Sequence, residues 1–180
     1  MIRFFIISCF FFFLLGGNDS FSWHENYKLS WKDYKGRPNT NIDAVALTAS
    51  GITFSYSGTK VDNKQIAHNV LIEARFYPEK SWFKPENVNP HILSHEQLHF
   101  DITELYARKF RKRIAETNFT NNIFSEMNKI NDKVNQELDL VQNKYDIETN
   151  HSINPIMQKK WEEHIHNELK KLLKFRKNID

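Results

Sequence analysis

His95, Glu96 and His99 form the pattern H-E-x-x-H inside the stretch LSHEQLHFDITE at 93–104. On a helix, residues four apart share a face one turn apart, so both imidazoles can reach one ion. Glu96 is turned about 100° from His95, which leaves its carboxylate beside such an ion rather than on it. There it can take a proton from metal-held water and later pass it to a leaving amine. Zinc suits this work because it polarises a carbonyl and lowers the pKa of bound water to about 7. Chance alone produces the pattern in roughly 3 % of such chains. The bland alternative is two polar histidines beside a core, so the surrounding elements have to decide.

A catalytic zinc normally has three protein ligands and an open position. His91 lies on nearly the same helix face, but eight residues, or about 12 Å, separate it from His99. With bonds near 2 Å, those two cannot share an ion while the helix continues. Asp101 and Glu104 turn away from the histidine face; Glu104 can pair with Arg108 at i+4. The third ligand must therefore come from elsewhere. His151, in YDIETNHS at a junction between two predicted helices, leads on position, with Asp146 and Glu148 as alternatives. His164 and His166 sit among charges in mid-helix and read as solvated.

The pattern along the chain changes near Pro90. Before it, AVALTASGITFSYSG (44–58) is rich in β-branched and aromatic residues, with Gly51 interrupting two possible strands and turn residues over 58–63. In IAHNVLIEARFY, Val70, Ile72, Ala74 and Phe76 alternate with Leu71, Glu73, Arg75 and Tyr77, the period of a half-buried strand. After it, Asn89 as N-cap and Pro90 at the first helical position predict a helix to about Glu116. Ile123, Met127, Ile130, Val134, Leu138 and Val141 step by three or four residues, which predicts a second helix. ETNHSINP then interrupts, and a third helix is predicted from about Pro155 to Phe175. The expected fold class is α+β: a small antiparallel sheet packed on a long motif-bearing helix, followed by two further helices.

The first residues read as a leader. Met1-Ile2-Arg3 is a short basic start, and Phe4–Leu15 is an uncharged, apolar run of 12 residues with Ser8 inside it, short of the roughly 20 needed to cross a bilayer as a helix. GGNDSFS follows, with Ser20 and Ser22 at the small-residue positions of a cleavage site. The expected organisation is a signal peptide at 1–22 and one domain at 23–180, exported to the periplasm or beyond, with no stable membrane span once the leader is gone. The single cysteine, Cys9, falls inside the leader, so the remainder carries no disulfide. Net charge is +3, and the charges alternate along the helices instead of forming a block, which gives nucleic-acid binding no support.

Several blocks occur in a telling order: LSWKDYKGRPN, AVALTASGITFSYS, SWFKP, ILSHEQLHFDITELYARKFRKRI and YDIETNHSINPIMQKKWEEHI. Together they resemble a bacterial domain-of-unknown-function family described as predicted secreted zinc-dependent proteases. The resemblance runs from about Leu29 to Ile165, and its H-E-Q-x-H-F-D-I block followed by E-L-Y-A-R is far more specific than the bare motif. It implies His95 and His99 as metal ligands and Glu96 as general base. The family's later block resembles Y-D-x-E-T-x-H-G, which implies His151 as third ligand; Ser152 stands here in place of the glycine. Tyr145 in that block could donate a hydrogen bond to a tetrahedral oxyanion, or be a core tyrosine closing an amphipathic helix.

The leading expectation is an exported zinc-dependent metallopeptidase or amide hydrolase with a zincin-like plan, acting on a peptide, protein or cell-wall peptide. The alternative is a non-catalytic envelope-binding or scaffold protein whose metal is structural or vestigial. A metal-free helical protein with a chance motif is the third reading.

Overall fold

The computed structural model describes residues 19–61 and 64–177, without the side chains of Val61, Lys64 and His68. Most of the predicted leader, residues 1–18, lies outside this range. Its last residues do not: β1 (Phe21–Ser22) pairs with the end of the long strand β4. Arg75 there bonds Ser20 and Ser22, and the Phe21 ring meets Phe76 at 5.2 Å. A chain beginning at Trp23 would lack this strand.

The architecture is α+β, with antiparallel strands first and three helices after them. β3 (Ser50–Val61) and β4 (Lys64–Phe76) form a long hairpin, and β1 completes a sheet of order β1-β4-β3. A separate two-stranded ribbon joins β2 (Ala46–Leu47) to β5 (Trp82–Phe83), with Ala46 opposite Phe83. Gly51, expected to divide two strands, instead lies within β3 opposite Arg75. The division falls just before Ser50, where Tyr77 N–H and the Ser81 hydroxyl take the backbone of Ala49. The expected turn over 58–63 is likewise mostly strand, because β3 continues to Val61.

The predicted alternation in β4 holds for Ile72, Ala74 and Phe76, all buried, and fails at Val70, which is exposed. The reason is local. Register shifts between Ser55 and Ser57, and Asn69 adopts a left-handed φ of 49°. One extra residue in a ladder turns every later side chain to the other face.

α1 (Pro90–Glu116) starts as expected: Asn89 Oδ1 accepts from Ile92 N–H at 3.0 Å, with Pro90 at the first position. α2 (Ile123–Thr149) runs further than its apolar stepping required and takes in Tyr145 and Asp146. Met127, Val134, Leu138 and Tyr145 form its buried stripe. α3 (Pro155–Lys171) is capped by Asn154 and followed by a 3₁₀ turn at Leu173–Phe175, so the predicted third helix ends earlier than Phe175. Phe76 of β4 meets Phe100 of α1 at 5.7 Å, and Phe54 of β3 meets Phe110 at 4.9 Å.

A buried ionic knot fixes α1 against its neighbours. Glu104 accepts from Arg108 Nε at 2.9 Å, the expected i+4 pair, and from Arg111 Nη1 at 3.2 Å. Those guanidinium groups also reach the carbonyls of Leu169, Ile72 and Phe175. One carboxylate thus ties α1 to β4, α3 and the C-terminal turn. No helix among the described residues is long and apolar enough to cross a membrane.

Candidate metal centre

The 27 residues of α1 are straight helix through the motif, so His95 and His99 share a face. Their Nε2 atoms lie 3.2 Å apart. α2 brings Asp146 to both: its Oδ1 is 3.1 Å from His95 Nε2 and 3.0 Å from His99 Nε2. These three are the grouping of potential ligand atoms found among the described residues. Donors around a tetrahedral ion with bonds of about 2.0–2.1 Å are separated by about 3.3 Å. The three observed separations are close to that value, and the donor set of two imidazoles and one carboxylate suits zinc.

The remaining ring nitrogens are tied back. His95 Nδ1 bonds Gln158 Oε1 of α3 at 3.1 Å, and His99 Nδ1 bonds Gln142 Oε1 of α2 at 2.6 Å. An amide oxygen can only accept, so each Nδ1 carries a proton and each Nε2 is left to face the other ring and Asp146. Gln142 is itself oriented by donating to the carbonyl of His99 at 2.9 Å. Gln142 and Gln158 were not foreseen. Gln142 was findable in principle, being one turn before Asp146 on α2; Gln158 carried no signal, because only the packing of α3 brings it here.

Tyr145 occupies a place the sequence left open. It is fully buried, stacked on the His95 ring at 4.5 Å and edge-on to His99 at 4.9 Å. Its hydroxyl donates to Gln158 Oε1 at 2.6 Å and lies 3.2 Å from the His95 carbonyl. Burial, followed by the negative charges of Glu96, Glu162 and Asp146, pushes its hydroxyl pKa far above the ordinary tyrosine value despite the Gln158 bond.

His151 stands at the rim. Its Nδ1 is 4.0 Å from Asp146 Oδ1, and the side chain is 75 % exposed, so it borders the three-atom grouping without joining it. Its backbone is unusual: Asn150, His151 and Ser152 all have positive φ, at 49°, 50° and 72°. The turn is held by His91, whose Nε2–H donates to the Ser152 carbonyl at 2.6 Å, and by bonds from His151 N–H to Asp146 and from Asn154 N–H to Thr149. Ser152 φ accounts for a glycine at this point in the related pattern, since left-handed backbone is cheapest without a Cβ. Glu148 faces elsewhere, accepting from Trp161 Nε1.

Electrostatics at the centre are coupled. Burial acts to raise the Asp146 carboxyl, but bonds from His95 and His99 and their charge outweigh it and hold it well below the usual carboxylate range. Burial acts to lower His99, and the Asp146 bond with the charges of Glu96 and Asp146 overcomes it, so His99 is raised. Glu96 is buried beside the pair, and its Oε2 has no hydrogen-bond partner among the described residues. A buried, unpaired carboxylate oxygen is costly unless something polar or charged normally meets it.

The centre opens into a cleft of about 710 Å³, bordered by residues 43–48 on one side and by Asp146, His151, Ser152 and Ile153 on another. A second cleft, of about 770 Å³, lies against a different face of α1 and contains none of the predicted site residues.

A family model described as bacterial protein of unknown function (DUF922) matches residues 73–152. That stretch, less than half of the chain, is similar to the DUF922 family. It contains His95, Glu96, His99, Gln142, Tyr145, Asp146 and His151, and so every potential ligand discussed above. It leaves out the 43–48 border and Gln158. No curated protein and no solved structure matches the chain.

Proposed function

We propose that the chain is an exported zinc-dependent metallopeptidase or related amide hydrolase, zincin-like in plan. The observation that carries this reading is the convergence of His95 Nε2, His99 Nε2 and Asp146 Oδ1, with the Glu96 carboxylate in the same cleft, its Oε2 without a partner among the described residues. A zinc ion held by the three would supply carbonyl polarisation and an acidified water. Glu96 then acts as the general base, taking the proton of the attacking water and delivering it to the leaving amine. Tyr145 is assigned a positioning role, because its hydroxyl is committed to Gln158 and its ring supports His95. The open cleft leaves room for a peptide to lie extended along β2, whose side remote from β5 borders it.

His151 favours a specific second reading. If its imidazole turns inward to join Asp146, four protein donors close the site, which is the composition of a structural zinc centre. The protein would then be a non-catalytic envelope-binding module.

The test is metal content and peptide hydrolysis of the purified chain and four variants. The enzyme reading expects one zinc per chain, lost in His99→Ala and Asp146→Ala, and retained in Glu96→Gln without hydrolysis. Zinc retained in Asp146→Ala and lost in His151→Ala would replace the carboxylate with the third histidine. Zinc bound without hydrolysis by the unaltered chain on a broad peptide and cell-wall peptide panel would leave the structural reading.

A further inference from the structure

Among the described residues, the four most exposed large apolar side chains are Ile147, Ile153, Ile156 and Leu140, each between 69 % and 73 % exposed. Three of them surround the turn that carries His151. That turn is wound tightly, with Asn150 N–H bonding the Ile147 carbonyl and Ile153 N–H bonding that of Asn150, both at 3.1 Å. The turn therefore fixes where Ile153 is presented. Ile153 lines the cleft that contains His95, Glu96, His99 and Asp146, and Leu47 of β2, 39 % exposed, lines it too. Exposed apolar clusters continuous with a polar, chemically equipped cleft mark a binding surface.

The backbone of β2 indicates what kind of molecule the surface receives. Lys84 N–H donates to the Val45 carbonyl at 2.8 Å, and Ala46 lies opposite Phe83. In an antiparallel pair, bonded and non-bonded residues alternate, so the N–H and C=O of Ala46 point away from β5. Ala46 lines the cleft, and strand backbone turned away from its ladder partner there is matched by another polypeptide backbone rather than by a lipid or nucleic acid. Side chains of an extended peptide alternate in direction. A residue next to the carbonyl held at the centre would thus be directed at the apolar rim. The acidic groups Asp43, Glu96 and Asp146 on the same walls disfavour an acidic residue there.

We propose that Ile153 and Leu47 form a seat that selects an extended peptide bearing a bulky apolar side chain beside the reacting carbonyl. This assignment rests on the hydrolase reading only for the word "reacting"; the seat itself is a binding property. Fluorescence anisotropy of labelled ten-residue peptides, identical except for Leu, Ser or Glu at one central position, tests it. The full chain is loaded with zinc and carries Glu96→Gln throughout, so that the peptides stay intact. The expected result is at least tenfold tighter binding of the Leu peptide than of the Ser peptide. Ile153→Ser should cut that preference to below threefold, whereas Leu140→Ser, equally exposed but outside the cleft, should leave it unchanged. Equal binding of the three peptides, a preference insensitive to Ile153→Ser, or an equal loss in Leu140→Ser overturns the proposal. So does sedimentation showing the isoleucines covered by a second copy of the chain. Cleavage is measured separately with Glu96 restored. Preference without cleavage sinks the hydrolase reading alone, and cleavage without preference sinks the seat alone.

Discussion

Ser152→Gly should stabilise the protein, and the reason lies in a single dihedral. Ser152 sits at φ 72° at the end of three consecutive left-handed residues. A non-glycine residue in that conformation costs about 1–2 kcal/mol, because its Cβ approaches the backbone carbonyl. Glycine removes that cost but makes the unfolded chain more flexible, which returns about 0.5–1 kcal/mol. The Ser152 hydroxyl makes no hydrogen bond to a described residue, and the carbonyl that accepts from His91 survives the change. The net expectation is a gain of about 0.5–1 kcal/mol. For a domain near 160 residues, this corresponds to a rise in Tm of about 1–4 °C. Differential scanning calorimetry of the zinc-free chain measures it without a contribution from metal binding. Ser152→Ala is the control: it keeps the Cβ and should leave Tm almost where it was. A rise with alanine equal to that with glycine would refute the argument, since backbone strain cannot distinguish serine from alanine. A fall with glycine would show that the turn is not left-handed at 152.

Other consequences are as specific. Glu104→Gln leaves the Arg108 and Arg111 guanidinium groups buried without their counter-charge and should cost about 3–5 kcal/mol in urea unfolding; an unchanged midpoint would remove the knot from the account of stability. A Cβ on Gly36 would lie 2.8 Å from the Ser81 carbonyl and 2.9 Å from that of Glu79. Gly36→Ala must therefore move backbone, with an expected loss of about 1–3 kcal/mol. Gln158→Leu and Gln142→Leu remove the Nδ1 partners of His95 and His99, and each should weaken zinc binding about 10–100-fold in a competition titration while the fold persists. Burial acts to raise Glu73, but bonds from Lys177, Ser22 and Arg75 prevail and lower it. A lowered carboxylate contributes stability above its unfolded pKa, roughly 4.3 for glutamate, and loses it as pH falls through the folded value. The protection of the Phe21 and Ser22 amides, measured relative to the intrinsic exchange rate at each pH, should fall in acid below that point, and Glu73→Gln should abolish that fall.

The α+β order, the start of α1 and the pairing of His95 with His99 were legible because each depends on neighbours within a few positions. A cap three residues from its acceptor, a proline at the first helical turn and two histidines four apart are local geometry, set by the rise and pitch of a helix. The bulge near Asn69 was not legible, although the alternation around it was. A ladder's register depends on both strands at once, and one positive φ reverses which side chains go inward. The same distinction separates Glu104, whose partner Arg108 lies one turn away, from the second guanidinium it receives from Arg111 at i+7.

The centre divides along the same line. Two candidate ligands and the neighbouring carboxylate belong to one turn of one helix, so sequence alone brought them together. The third donor depends on how far α2 runs and at which angle it meets α1. Sequence position put His151 ahead of Asp146 and Glu148, without the geometry needed to rank them. Packing did rank them: the buried stripe Met127, Val134, Leu138 and Tyr145 turns Asp146 toward both histidines. The left-handed turn after it carries His151 to the rim. Gln158, more than sixty residues from His95, reaches it only because α3 folds back. Contacts within a turn follow from covalent geometry, whereas contacts between helices follow from which apolar faces can be buried together, and that choice exists only in the folded chain.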